Sequence, residues 1–326
     1  MTSTPFTIAA VQAAPVFLNR EATVQKACGL ITQAAEGGAK LAVFPEAFIP
    51  AFPLWIWYIP PGKTHELREL YSELLANAIS VPSEETDRLC LAAKEAEISV
   101  AIGINERNAD ASGTTLYDTI LYIGADGRVL GKHRKLVPTT AERIVWGQGD
   151  GSTLTVVDLP IGRLGGLLCW ENYMPLARYS MWAWGTQIFA APTWDRGEPW
   201  ISTMRHTAKE GRVYLVSCCS AMRTADIPDR YGFKHKYLSD AGEWLNPGLS
   251  LIVDPDGKVL AGPAENEETI LYAEVEPEKL TGPRFQLDTA GHYARPDVFS
   301  LTVNRQERPM ISTVEGVGEC VEHVDD

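Results

Sequence analysis

The first 44 residues constrain the fold more than any other stretch of the chain. Residues 6–13 (Phe-Thr-Ile-Ala-Ala-Val-Gln-Ala) are short, apolar and bounded by prolines, which predicts a buried strand. Over 21–36 the apolar residues Val24, Ala27, Leu30, Ile31, Ala34 and Ala35 recur at helical spacing, and Gly37 and Gly38 supply a stop. Residues 40–44 then read as a second strand. Strand, helix and strand in this order form a βαβ unit, which commits the chain to an α/β fold with a crossover helix.

The remainder adds a second kind of connection. Helices are predicted over 66–79 and 83–97, the latter starting at Ser83 with Glu84 and Glu85 in its first turn, where carboxylates suit the helix dipole. A strand follows over 99–106. Strands 117–123 and 129–136 flank an Asp-Gly turn, and the same device joins 249–253 to 258–261. Hairpins beside βαβ units predict mixed sheets rather than purely parallel ones. Further strands are expected over 153–158, 164–169, 187–191, 213–218 and 269–275, and helices over 175–184 and 198–210. The Pro- and aromatic-rich segment 50–63 reads as a loop over a pocket or an interface. With no Ser/Gly-rich linker, the pattern predicts two sheets packed together with helices outside. Residues 1–304 then form one domain and 305–326 an acidic tail.

Composition narrows the classes. The 29 Lys and Arg against 42 Asp and Glu give a net charge of −13, and no basic cluster offsets it, which argues against nucleic acid as a partner. The N-terminus lacks the charged and apolar regions of a secretory signal, and no apolar run approaches the roughly 20 residues that span a bilayer. The expectation is a cytoplasmic protein without membrane contact. Cysteines 28, 90, 169, 218, 219 and 320 are scattered and read as free thiols; without CxxC, HxxxH or HExxH, no metal site is expected.

Three reactive side chains stand at the ends of predicted strands, where α/β folds place their function. Glu46, straight after Val43-Phe44-Pro45, is either a cap for the next segment or a base in a dry pocket. In Gly131-Lys-His-Arg-Lys135-Leu-Val-Pro138 the basic run is either a solvated sheet edge or the source of one inward lysine. Alternation separates Lys132 and Arg134 from His133 and Lys135. Cys169, after Leu164-Gly-Gly-Leu-Leu168 and shortly before Pro175, is either a small buried hydrophobe or a nucleophile on a strand-to-helix elbow. The three complement one another: a thiol needs a base to take its proton, and an ammonium stabilises both thiolate and oxyanion-like charge. No histidine is placed for a Cys-His pair, since His133 falls on a strand and His206 in mid-helix.

These residues resemble the three signatures of the nitrilase superfamily: Phe44-Pro-Glu46, Arg134-Lys135-Leu-Val-Pro138 and Cys169-Trp-Glu-Asn, in matching order and separation. Glu142-Arg-Ile-Val-Trp146, Tyr173-Met-Pro-Leu-Ala-Arg178, Ala191-Pro-Thr193-Trp194 and Gly291-His-Tyr-Ala-Arg-Pro-Asp297 resemble its nitrilase branch, so the likeness runs from about residue 6 to 304. It implies a four-layer αββα sandwich with mixed sheets. It also implies self-association into dimers and higher or spiral oligomers, and no metal or organic cofactor.

By the same resemblance Glu46, Lys135 and Cys169 are the catalytic triad, and Glu142 orients the lysine and the hydrolytic water; the alternative for Glu142 is an ion pair with Arg143 or Arg134. The small-molecule substrate is an organic nitrile, aliphatic or arylaliphatic, converted to acid and ammonia. Tyr58, Trp146, Trp170, Tyr173, Thr193 and Trp194 are the expected substrate-binding residues, with core packing as the alternative for the aromatics. Trp182 and Trp184 are assigned to a subunit interface, and His292, Arg295 and Asp297 to a structural turn. Trp170 favours the nitrilase branch. Amide-forming hydration, including cyanide hydratase activity, and a superfamily amidase remain the competing readings.

Overall fold

The structure, a computed structural model, describes residues 4–109 and 112–309. It opens as the apolar pattern predicts: β1 (Phe6–Gln12), α1 (Arg20–Glu36) and β2 (Ala39–Val43), with β1 and β2 parallel. The Asn19 side chain caps α1 by accepting from the Ala22 N–H, which starts the helix one residue before the expected Glu21. Two further helices, α2 (Thr64–Asn77) and α3 (Glu84–Glu95), precede β3 (Ser99–Arg107). Ser83 caps α3 in a box with Thr86. The first hairpin is β4 (Leu116–Ile123) and β5 (Val129–Arg134). With β13 (Thr269–Val275) returning beside β1, the first sheet has the order β13-β1-β2-β3-β4-β5.

The second sheet repeats the plan. It takes β6 (Val156–Leu159), β7 (Gly162–Gly166), β8 (Ile188–Thr193), β9 (Tyr214–Cys219), β10 (Ala221–Arg223) and β11 (Trp244–Val253) in the order β10-β11-β9-β8-β7-β6, and β12 (Val259–Glu265) pairs with β11 across the second Asp-Gly turn. In each sheet three central strands are parallel (β1, β2, β3; β7, β8, β9) and antiparallel strands flank them.

Why four layers form is visible in the alternation of side chains. Ile8, Ala10, Leu41 and Val43 of the first sheet meet Ile188, Ala190, Tyr214 and Val216 of the second in one buried cluster. Their sequence neighbours Ala9, Val11 and Ala42 turn outward onto Val24, Ala27 and Ile31 of α1 and Leu89 and Ala93 of α3. On the other side, Phe189, Ala191, Leu215 and Val213 pack under α4 (Pro175–Ala183) and α5 (Glu198–Gly211) through Met181, Trp182, Trp200 and Met204. Strands buried on both faces need apolar residues at every position, which accounts for their unbroken apolar runs. The architecture is the αββα sandwich.

Several local features differ from expectation. The strand expected over 164–169 ends at Gly166, and Cys169 lies beyond it in a 3-10 turn, Cys169–Tyr173. β5 stops at Arg134, so Lys135 stands just past the strand. The short β10 and α6 (Gly232–Tyr237) carry no sequence signal long enough to read. Segment 50–63 is more than a cover: Phe52, Leu54, Trp55 and Ile56 are buried in a core with Phe17, Leu70, Trp146 and Tyr231. Trp182 is also core rather than surface: its ring packs on Phe189 and its indole N–H donates to Glu210 at 2.9 Å. The described cysteines are free thiols, and Cys320 lies outside the described residues with 310–326 of the expected tail. Among the described residues no helix is long and apolar enough to cross a membrane.

Candidate active site

The strand ends converge. Glu46 follows β2, Lys135 follows β5, Cys169 follows β7 and Thr193 closes β8, all at the same end of the sandwich. The loop carrying Glu46 lies directly on β3, and this approach requires Gly103: a Cβ there would stand 2.2 Å from the Pro45 carbonyl oxygen and 2.8 Å from Glu46 Cα. Asn105, two residues on, fastens the same loop by donating to the carbonyls of Ile49 (3.2 Å) and Ala51 (3.0 Å).

Lys135 is placed by strand alternation. On one face of β5, Lys132 and Arg134 hold the buried Glu106, with Arg134 Nη2 at 2.6 Å and Nε at 3.0 Å. The opposite face sends His133 and Lys135 between the sheets, where each meets acids. Lys135 Nζ donates to Glu46 Oε1 at 2.6 Å and Glu142 Oε2 at 2.7 Å, and Asp118 Oδ2 of β4 lies 3.3 Å away. The lysine is 1% exposed and Glu46 0%. Glu142 sits in the 3-10 turn Thr140–Ile144 and also accepts from the Thr139 N–H, so it pairs with the lysine and not with Arg143 or Arg134.

Cys169 occupies the left-handed region at φ 46°, an unfavourable conformation for a non-glycine residue. The turn is held by its neighbours. Asn172 donates to the carbonyls of Leu167 and Cys169, and Glu171 accepts from the Leu168 N–H at 2.8 Å. Glu171 also accepts from the Leu136 N–H at 2.6 Å and from His133 Nε2 at 3.0 Å. One buried carboxylate thereby ties the residue before the cysteine to the residue after the lysine. Sequence reasoning assigned Glu171 no role; its signal was an acid two residues past the cysteine, directly after an apolar strand. Thr193, expected to bind substrate, donates its hydroxyl to Cys169 Sγ at 3.3 Å while accepting from the Asp195 N–H at 2.8 Å.

Burial and like charge set the protonation states. Burial holds the Cys169 thiol well above its usual range, the Glu46 charge adds to this, and Lys135 opposes it. Glu46 is likewise raised by burial, against the pull of Lys135 and with the push of Asp118. Burial raises Glu142, again opposed by Lys135. For Lys135 burial works downward, but the charges of Glu46, Cys169, Asp118 and Glu142 outweigh it and fix the ammonium. Glu171 is also buried, yet the His133 ring and the Leu136 and Leu168 N–H groups bring its carboxyl below the ordinary value. Glu46, Glu142 and Cys169 carry donor atoms within 4.8 Å of one another, a spacing that suits a cation. The Lys135 ammonium, hydrogen-bonded to both carboxylates, already supplies it.

A cavity of about 340 Å³ opens onto Cys169, lined by Trp57, Tyr58, Thr139, Thr140, Glu142, Trp170, Trp194, Asp195, Arg196 and Leu245. Of the expected substrate-binding residues, Tyr58, Trp170 and Trp194 therefore line it. Trp146 does not: it is buried behind the lysine, with Nζ 5.6 Å from its ring centroid and its N–H on Asn105. Tyr173 also lies outside the lining, edge-on to Trp170 and Trp200. Trp57 comes from segment 50–63, expected to lie over a pocket or an interface, whereas Asp195 and Arg196 were not anticipated there.

The family model for carbon-nitrogen hydrolases matches residues 7–284. The chain belongs to the carbon-nitrogen hydrolase family. It is a hydrolase of carbon–nitrogen bonds within the nitrilase superfamily, and its similarity is to proteins named nitrilases. An aliphatic nitrilase of Sinorhizobium fredii is 45% identical over 312 residues, which cover 95% of this chain and 99% of that protein. The bifunctional nitrilase/nitrile hydratase NIT4B of Nicotiana tabacum is 40% identical over 90% of this chain and 84% of its own length. Among solved structures, Saccharomyces cerevisiae Nit3, a member of branch 10 of the superfamily, shares the fold at a TM-score of 0.68 and 23% identity, covering 89% of this chain and 96% of that one.

Proposed function

We propose that this carbon-nitrogen hydrolase converts an organic nitrile, aliphatic or arylaliphatic, to its carboxylic acid and ammonia through a covalent intermediate on Cys169. The observation that carries the reading is a buried Glu46-Lys135 pair beside a cysteine that opens onto a cavity walled by Trp57, Trp170 and Trp194. Such walls suit a group that has no proton to donate, and about 340 Å³ admits a small ligand rather than an extended one.

In the first step the S–H proton moves to Glu46 and the thiolate attacks the nitrile carbon. The nitrogen takes the developing negative charge, which the Lys135 ammonium and the N–H of Trp170 stabilise, and then the proton from Glu46. The product is a thioimidate. Moving the proton between two neighbouring groups leaves the site charge unchanged, so a thiol that burial keeps protonated can still react once substrate is seated. Water, deprotonated by Glu46, adds to the thioimidate; collapse expels ammonia and leaves a thioester, and a second water releases the acid. Thr193 offers its one hydroxyl proton to the sulfur throughout.

A second outcome, expulsion of the thiol from the same tetrahedral intermediate to give an amide, is favoured by the 40% identity to a relative named as bifunctional. A panel of about ten aliphatic, arylaliphatic and aromatic nitriles, assayed together for ammonia, acid and amide, tests both. Ammonia and acid in equal amounts support the main reading, amide without ammonia supports the second, and turnover of amides but of no nitrile contradicts both.

A further inference from the structure

Asp118 lies in the middle of this site without an assigned part in it. It is fully buried on β4, its carbonyl accepts the Lys135 N–H at 2.8 Å, and neither side-chain oxygen has a hydrogen-bond partner, although Oδ2 is 3.3 Å from Nζ. Glu46 Oε2 is a further buried oxygen without a partner, and the two carboxyl groups meet at one ammonium, with Lys135 Nζ 2.6 Å from Glu46 Oε1 and 3.3 Å from Asp118 Oδ2. Buried acceptors left empty are rare and costly. Here one proton between the two acids would satisfy both, since a carboxylic acid donates and a carboxylate accepts.

Charge counting leads to the same place. Among the described residues, Lys135 is the only cation paired with Glu46, Glu142 and Asp118. Three ionised carboxylates around one ammonium would leave a dry site at minus two, and like charges this close do not both ionise. No other group facing Asp118 offsets this: Cys169 is a neutral thiol, Asn105 opposite it on β3 is uncharged, Glu106 points to the other face with Lys132 and Arg134, and His133 is engaged by Glu171.

We propose that Glu46 and Asp118 share one resident proton, and that Asp118 is a positioning residue holding Glu46 ready as the base. The inference rests on the role given to Glu46 under Proposed function. With the shared proton on Asp118, Glu46 is a carboxylate steadied by Lys135 on Oε1 and by Asp118 on Oε2. When Cys169 reacts, its S–H bond breaks, the electron pair stays on sulfur and an O–H bond forms on Glu46, which later gives that proton to the nitrile nitrogen. Asp118 keeps its own proton throughout. Burial raises both carboxyl groups, Asp118 to about 6 against the pull of Lys135; such a pair titrates as a unit.

The test compares Asp118→Asn with Asp118→Ala. Asparagine is neutral and donates to Glu46 as a protonated Asp118 does, so the acid limb of kcat/KM against pH should stay where it stands in wild type, with KM little changed. Alanine offers no donor, and its kcat should fall at least about tenfold below that of the asparagine variant. A downward move of the acid limb by about one unit in Asp118→Asn, the mark of a negative charge removed from beside Glu46, or equal losses in both variants, would overturn the inference. Infrared titration of the substrate-free enzyme gives a readout independent of turnover. A protonated-carboxyl band at neutral pH that disappears in Glu46→Gln is expected, and its absence from wild type counts against the shared proton whatever the substrate proves to be.

Discussion

Lys135 Nζ stands 2.6 Å from Glu46 Oε1 with both side chains out of solvent, although 89 positions separate them in the chain. A buried pair of this kind contributes little as a pair, but removing one partner strands the other. Lys135→Met should therefore abolish turnover and also destabilise the fold by about 3–5 kcal/mol, since the acids around it lose their counter-charge. Denaturant unfolding of the variant checks this; unchanged stability would mean the acids are neutral in the resting enzyme without help from the lysine.

Glu171 joins the cysteine turn to the lysine segment through the Leu168 and Leu136 N–H groups and His133. Glu171→Gln keeps the volume but turns one acceptor into a donor facing donors. The expected result is a loss of about 100-fold in kcat from misplacement of the reacting groups, with KM much less affected. Single-turnover kinetics distinguish this from weakened substrate binding.

Thr193 reaches the sulfur with its hydroxyl, whose other position is taken by the Asp195 N–H. Thr193→Val removes that donor at nearly constant volume and should lower kcat by about tenfold, the worth of one hydrogen bond to a charged atom. Thr193→Ser should recover most of it. Equal losses in both variants would assign the residue to packing alone.

Stability should depend on pH through Asp118 in a direction opposite to that of an ordinary salt-bridged acid. Its folded value, raised by burial to about 6 from 3.8, means that the folded state prefers the protonated form. That contribution is fully present below the unfolded value and is lost as pH rises through the folded one. The stability of wild type relative to Asp118→Asn should therefore fall between about pH 4 and pH 6, by on the order of 3 kcal/mol if the whole shift is expressed. Parallel thermal melts of the two proteins across this range make the comparison.

What could be read in the sequence, and what could not, follows from how local each signal is. Strands β1, β2 and β8 are buried on both faces, so composition alone marks them. Glu46 and Cys169 stand where apolar runs stop, Lys135 ends a basic run just before Leu-Val-Pro138, and their order matches a known pattern. Asp118 interrupts no run: in Leu-Tyr-Asp-Thr-Ile-Leu-Tyr-Ile it looks like one polar position of a strand, and only the packing of β4 against the Glu46 loop and Lys135 makes it part of the site. Trp146 and Tyr173 lie close in sequence to the catalytic residues, yet backbone direction turns one behind the lysine and the other toward Trp200. Asp195 and Arg196 reach the cavity from a loop, and Trp57 from the short 3-10 turn Leu54–Trp57, whose courses no periodicity encodes.

The assignment of Cys169 as the nucleophile bears most of the chemistry, and product formation by Cys169→Ala tests it most directly. The side chain is small, buried and replaced by one of similar polarity, so the fold should persist by circular dichroism. With a nitrile that wild type hydrolyses, the purified variant should release no ammonia or acid above the buffer control; substantial release by the folded variant would contradict covalent catalysis at this residue.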